Sequence, residues 1–321
     1  MNEASVPENR SSPDQSRRAS NTHDDAAASG LRGWGRILLV FLYLLPKNGL
    51  SRLAGRVASL RLPGPVQRAE IRLFARLAGV NLEEARDPID TYSSLQLFFT
   101  RALRDGARPI EGDSMSLVAP CDGAWGAAGR IDAGTLIQVK GRTYPVAEFL
   151  GDAELAERYE GGWFATFYLS PRDYHRFHTP TAGRMVRIDY HPGSLWPVNA
   201  IGLRGIDRLF ACNERICAYL DTDQGDGGTS AQPIVLVAVG ATMVGSVRLT
   251  FDDLRTNVNA GRVERREFAD PAPKFVRGEQ WGHFEFGSTI IMLVPPDLFE
   301  IHPQPVGSSL TLGEVIGRRR A

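Results

Sequence analysis

The feature that most restricts the fold of this chain is an abrupt change of texture near Pro109. Upstream, apolar residues recur at helical spacing. Ile71, Phe74, Ala75 and Ala78 fall at i, i+3, i+4 and i+7, and Gly79 is placed to stop that helix. Tyr92, Leu95 and Phe99 mark a shorter helix, with Thr91 or Ser93 as its N-cap. Downstream, the chain breaks into short runs rich in β-branched and aromatic residues, such as WFATFYLS, RICAYLDT and STIIMLVPP, separated by Gly, Pro and Asp. Helices first and strands after give an α+β chain. It divides into a polar tail (1–30), a helical region (31–108) and a β-rich body (109–321).

The tail is rich in Ser, Asn and Asp and holds too little apolar surface to fold, so disorder is expected. It lacks the apolar stretch of a secretory signal, and acids such as Glu3, Glu8, Asp14 and Asp24 argue against a transit peptide. The run 37–45 is strongly apolar but far shorter than the roughly 20 residues that span a bilayer. Between residues 31 and 80 the basic residues crowd, with Glu70 the only acid, although the chain as a whole balances 37 basic against 37 acidic residues. Beside Trp34, Phe41 and Tyr43, that charge suits helices lying in the interface of an anionic membrane. Each cation near the surface would add about 1 kcal/mol. The plainer alternative is a pair of helices packed on the body with their arginines in water. Zero net charge speaks against nucleic-acid binding.

Cys121, Cys212 and Cys217 are too few and too scattered for a disulfide framework or a structural zinc site. The acidic loop 221–233 lacks the spacing of a calcium site, and no metal is assigned. Three places can carry chemistry. VAPCDGAWG sets Asp122 in a Pro-x-Asp-Gly segment, which taken alone is ordinary turn chemistry. YLSPRDYHRFHTP places His175 and His178 three apart after a strand. They read as surface histidines, as two metal ligands short of a third, or as a general base with a substrate-binding neighbour. Arg172 and Arg176 in the same run can meet anionic groups, stay solvated or pair with Asp173. Finally, FEFGSTIIMLV interrupts a β pattern with Gly287 and Ser288; it is not a Gly-x-Ser-x-Gly elbow, so alone it marks a turn.

Taken together, Asp122, His178 and Ser288, with YLSPRDYHRFH and FGST around them, resemble the phosphatidylserine decarboxylase family in its membrane-associated bacterial form. YLLPKNGLSRLAGRVAS, FFTRALRDGARPI, NERICAYLDT, VGATMVGSV and GEQWGHFEFGSTIIML carry the resemblance across most of the chain outside the tail. Phe286 stands where that family commonly has leucine, and Cys121 where alanine is usual. The resemblance implies a proenzyme that cuts itself between Gly287 and Ser288, leaving a large subunit (1–287) and a small one (288–321). Ser288 Oγ would attack the Gly287 carbonyl, His178 would take its proton, and Asp122 would hold the His178 tautomer. Glycine at 287 would tolerate the distorted peptide this needs. Ser288 would then become a covalent pyruvoyl group, the Schiff-base centre for the substrate amine and an electron sink like pyridoxal phosphate. His175 is the candidate for the substrate step, and Thr289 is positional.

The implied reaction turns phosphatidylserine into phosphatidylethanolamine. Its implied partners are an anionic membrane and the two subunits of one chain, with a homo-oligomer left open. The implied location is the cytoplasmic face of the cell membrane, as a peripheral protein. Three rivals remain: an intact serine hydrolase using Ser288, His178 and Asp122, a non-catalytic membrane-binding protein or decayed family member with the same fold, and a pyruvoyl decarboxylase for another amino-lipid.

Overall fold

A computed structural model describes residues 47–320, apart from 140, 223–231, 243–245, 258–260, 286 and 288. The polar tail, the run 37–45, most of the acidic loop, Phe286 and Ser288 therefore lie outside the described residues.

Among the described residues, the helical region opens with two helices, α1 (Lys47–Ala58) and α2 (Gly64–Ala78). Pro63 and Pro65 open α2, where the missing N–H groups would have no helical acceptor in any case. Gly79 closes it in the left-handed conformation at φ 79°, donating its N–H to the Ala75 carbonyl, as the sequence predicts. Ile71 and Ala75 are buried, and with Phe74 and Ala78 they form a small cluster with Val80, Tyr92 and Phe98. The short helix that follows is Leu95–Phe99, and its cap is Ser94 rather than Thr91 or Ser93. The Thr91 hydroxyl is already committed to the Pro88 carbonyl at 2.6 Å, while Ser94 Oγ accepts from the Leu97 N–H. No helix among the described residues is long and apolar enough to cross a membrane.

The body is built on a nine-stranded sheet. At its centre, Thr289–Val294 lies antiparallel between Ile234–Val239 and Trp163–Tyr168. Ile290, Met292 and Val294 join one core cluster, and Ile291 and Leu293 the other. A strand covered on both faces gains no stability from a polar face, so STIIMLV reads as a continuous apolar run rather than an alternating one. The α+β architecture is thus as the sequence predicts.

A smaller sheet joins Val247–Leu249, Gln280–Phe284 and Arg176–His178. Two links run between the large and small sheets. Residues 169–175 leave the end of Trp163–Tyr168 for the histidine strand, and residues 285–288 lead from Gln280–Phe284 into Thr289–Val294. The Phe284 N–H donates to the His175 carbonyl at 2.9 Å, which ties the two links together.

Candidate active site

The first link is a turn that its own side chains lock. Asp173 accepts from both the N–H and the hydroxyl of Ser170 at 2.7 Å, and its backbone N–H returns a bond to the Ser170 carbonyl. Arg101, itself buried, donates from Nη2 to the Arg172 and Asp173 carbonyls. The turn delivers His175 into a fully buried position, its ring centroid 3.9 Å from that of Phe99. Neither ring nitrogen of His175 has a hydrogen-bond partner among the described residues. Burial first, and then the Arg101 charge, push its pKa down to about 3, so the ring is neutral.

That ring lies against Gly287. A Cβ at 287 would clash with His175 Nε2, lie 2.9 Å from its Cδ2 and sit 3.3 Å from the Leu169 carbonyl oxygen. Position 287 therefore has a steric reason to be glycine, besides the conformational one read from the sequence. Gly287 lines a cavity of about 410 Å³, together with Gly123, Tyr168, Arg172, Asp173 and Asn199. Thr289 opens the central strand, buried, and its hydroxyl has no partner among the described residues.

His178 belongs to the small sheet, opposite Gln280. Its Nδ1 donates to the Gly278 carbonyl at 2.8 Å, which leaves Nε2 as the lone-pair nitrogen, 3.3 Å from the Tyr174 hydroxyl. Burial lowers its pKa to about 4, against the opposing pull of the Gly278 carbonyl and the Asp122 charge. Asp122 is buried, and its carboxylate is committed elsewhere. Arg108 donates from Nε at 2.8 and 2.9 Å and from Nη2 at 2.6 Å, and the Leu312 N–H adds a bond at 2.9 Å. Arg108 also reaches Glu84 at 2.8 Å. The structure thus gives the tautomer-holding bond on His178 to Gly278, while Asp122 acts on that ring through its charge.

Of the two arginines in the motif, Arg172 lines the cavity and pairs with Asp173 at 3.5 Å. Arg176 is spent on the Thr100 carbonyl and the Gln280 side chain. Arg108 and Arg101 were not singled out from the sequence, and Phe99 was read there only as a marker of the short helix. The two arginines are lost among 37 basic residues, and FFTRALRDGARPI offers no spacing that marks them.

A neutral imidazole pressed on a glycine at the rim of an open cavity, with a second neutral histidine on the small sheet and an arginine-clamped carboxylate at Asp122, is the kind of arrangement enzymes use for proton transfer. Comparison with known proteins agrees with that class. The family model described as phosphatidylserine decarboxylase matches residues 95–318, and one described as PSD matches 37–77. The phosphatidylserine decarboxylase proenzyme of Anaeromyxobacter sp. (strain K) is 41% identical over 285 residues, covering 88% of this chain and 98% of the relative. That of Chromobacterium violaceum is 40% identical over 284 residues, with 88% and 98% covered. That of Brevibacillus brevis is 38% identical over 288 residues, with 89% and 99% covered. The chain belongs to the phosphatidylserine decarboxylase family.

Proposed function

We propose that this chain is a proenzyme that cleaves itself at Gly287-Ser288 and then decarboxylates phosphatidylserine to phosphatidylethanolamine at an interface. The observation that carries the reading is the contact between the buried neutral His175 ring and Gly287 at the cavity rim. Family membership across most of the chain supplies the reaction class. The relatives are named as proenzymes, which favours cleavage over an intact serine hydrolase.

In the first step the Ser288 hydroxyl attacks the Gly287 carbonyl carbon, and the acyl group moves from nitrogen to oxygen. His178 Nε2 is the base, because its Nδ1 proton is held by Gly278. Elimination across the Cα–Cβ bond of residue 288 then releases the large subunit as a Gly287 carboxylate. Hydrolysis of the remaining dehydroalanine gives the pyruvoyl terminus and ammonia. The surroundings fit such a group: it would stand between Gly287 and Thr289, beside a cavity and an imidazole whose ring nitrogens have no partner among the described residues. The pyruvoyl group supplies an electron sink for the carbanion left when CO2 departs. His175 relays to the substrate α-carbon the proton that the substrate ammonium gives up when its nitrogen is engaged, and its burial keeps water from competing. Arg172, at the cavity wall, is the cation placed to meet an anionic headgroup.

The substrate keeps its acyl chains in a bilayer, so the enzyme must come to the surface. Leu50, Leu53 and Val57 on α1 and Val66, Leu73 and Leu77 on α2 are exposed, Leu77 at 78%. Arginines 56, 72 and 76 stand among them. An apolar stripe flanked by cations suits peripheral attachment to an anionic membrane, here the cytoplasmic face of the cell membrane. Ser288→Ala tests the central claim. The purified variant should run as one uncut chain on a denaturing gel and decarboxylate nothing, whereas the wild type gives two chains, the smaller blocked at its N-terminus. Normal cleavage in the variant refutes the assignment.

A further inference from the structure

A second cavity, of about 330 Å³, lies between α1 and the small sheet and shares no lining residue with the one at Gly287. Arg52 and Arg56 reach it from α1, and Arg248 and Arg255 from the body, while Glu285 is the one acid on its wall. Arg248 takes Glu285, at 3.1 Å. Arg52 has a partner of its own, near Glu214, whereas Arg56 and Arg255 show no ion pair or hydrogen-bonded acid among the described residues. Cations gathered around so small a volume repel one another within a Debye length, roughly 8–10 Å at moderate salt, unless an anion joins them.

We infer that this cavity binds the phosphodiester headgroup of an anionic phospholipid other than the substrate, as a docking site at the membrane. The inference rests on the membrane reading above. The guanidinium fork matches phosphate oxygens in pairs, which a hydrated ammonium does not. The neighbouring surface selects a lipid over free phosphate. Arg52 and Arg56 directly precede the exposed Leu53 and Val57, about 100° further round the helix. A phosphodiester held by the arginines would send its acyl chains along that apolar face. Glu285 lies two positions before Gly287, so an occupied cavity would brace the link that carries the scissile glycine.

The test is charge-neutral. The full mature protein is titrated with phosphatidylcholine vesicles with and without phosphatidylglycerol, as wild type, as R56K/R255K and as R72K/R76K, with thermal melting to confirm folding. Lysines keep the diffuse attraction but lose the paired bonds. R56K/R255K should therefore bind phosphatidylglycerol vesicles about tenfold more weakly, whereas R72K/R76K, on the attachment surface but outside the cavity, keeps its diffuse charge and should lose no more than about twofold. Equal affinity of R56K/R255K and wild type overturns the site, and so does equal weakening of both double variants. Binding of inorganic phosphate by calorimetry that vanishes in R56K/R255K, with vesicle affinity unchanged, overturns the headgroup assignment. A wild type with no preference for phosphatidylglycerol sinks the membrane reading itself, and this site with it.

Discussion

Replacing Gly287 with alanine probes the site at its tightest point. The added Cβ would clash with His175 Nε2, and the ring is fully buried, with Phe99 tilted against it at 36° and centroids 3.9 Å apart. Overfilling such a place costs about 1–3 kcal/mol. The conflict is relieved by moving either the ring or residue 287, and a shift of about 1 Å in a reacting group slows chemistry about a hundredfold. Gly287→Ala should thus lower the urea midpoint and slow self-cleavage by that factor, measured by intact mass of samples taken through a time course. Removing the ring should restore the room. Gly287→Ala/His175→Ala should cleave faster than Gly287→Ala alone, a non-additivity expected of residues in contact. His175→Ala by itself should cleave but decarboxylate poorly, since its proposed task is the substrate proton. Wild-type cleavage in Gly287→Ala, or a double variant no faster than the single, would show that the ring does not constrain the scissile glycine.

Three further outcomes follow from the surroundings. His175 and His178 are held at about 3 and about 4, against the ordinary 6.5, so the folded chain binds fewer protons than the unfolded one. Their share of stability is complete above pH 6.5 and drains as pH falls toward those values, which urea midpoints at stepped pH will register. Self-cleavage should also hold its rate from about pH 8 to about pH 5, since Nε2 of His178 stays unprotonated there; a tenfold fall per unit below 6.5 would indicate an ordinary solvent-exposed base. Arg108→Gln strips the Asp122 carboxylate of its clamp, at a cost of about 3 kcal/mol for breaking a buried pair from one side. A chemical-denaturation difference under 1 kcal/mol, with processing unchanged, would show the clamp to be idle.

The sequence disclosed periodicity and local turns well, because both are written in neighbouring residues. Gly79 ends α2 as its position in the pattern requires, and the two-sided burial of Thr289–Val294 is visible in an unbroken apolar run. The residues that meet at the site were legible only as separate motifs. Ser94 displaced Thr91 and Ser93 as a cap because all three can serve, and the choice fell to a Pro88 carbonyl that claims Thr91. The bond that sets the His178 tautomer comes from a backbone carbonyl, which any residue at 278 would offer, so no side-chain motif could reveal it.

Gly287 shows why contact carries more than motif. The sequence credits that glycine with conformational freedom for a strained peptide, a property of the residue alone. The structure adds a neighbour: His175 occupies the volume that any side chain at 287 would need. The Phe284 N–H bonds the His175 carbonyl, which ties the histidine's backbone to the end of the strand from which the link to Gly287 departs. A histidine proposed for the substrate step would therefore also shape the peptide proposed to be cut. Sequence spacing could not expose that double use, because the glycine and the ring are brought together only by the crossing of the two links.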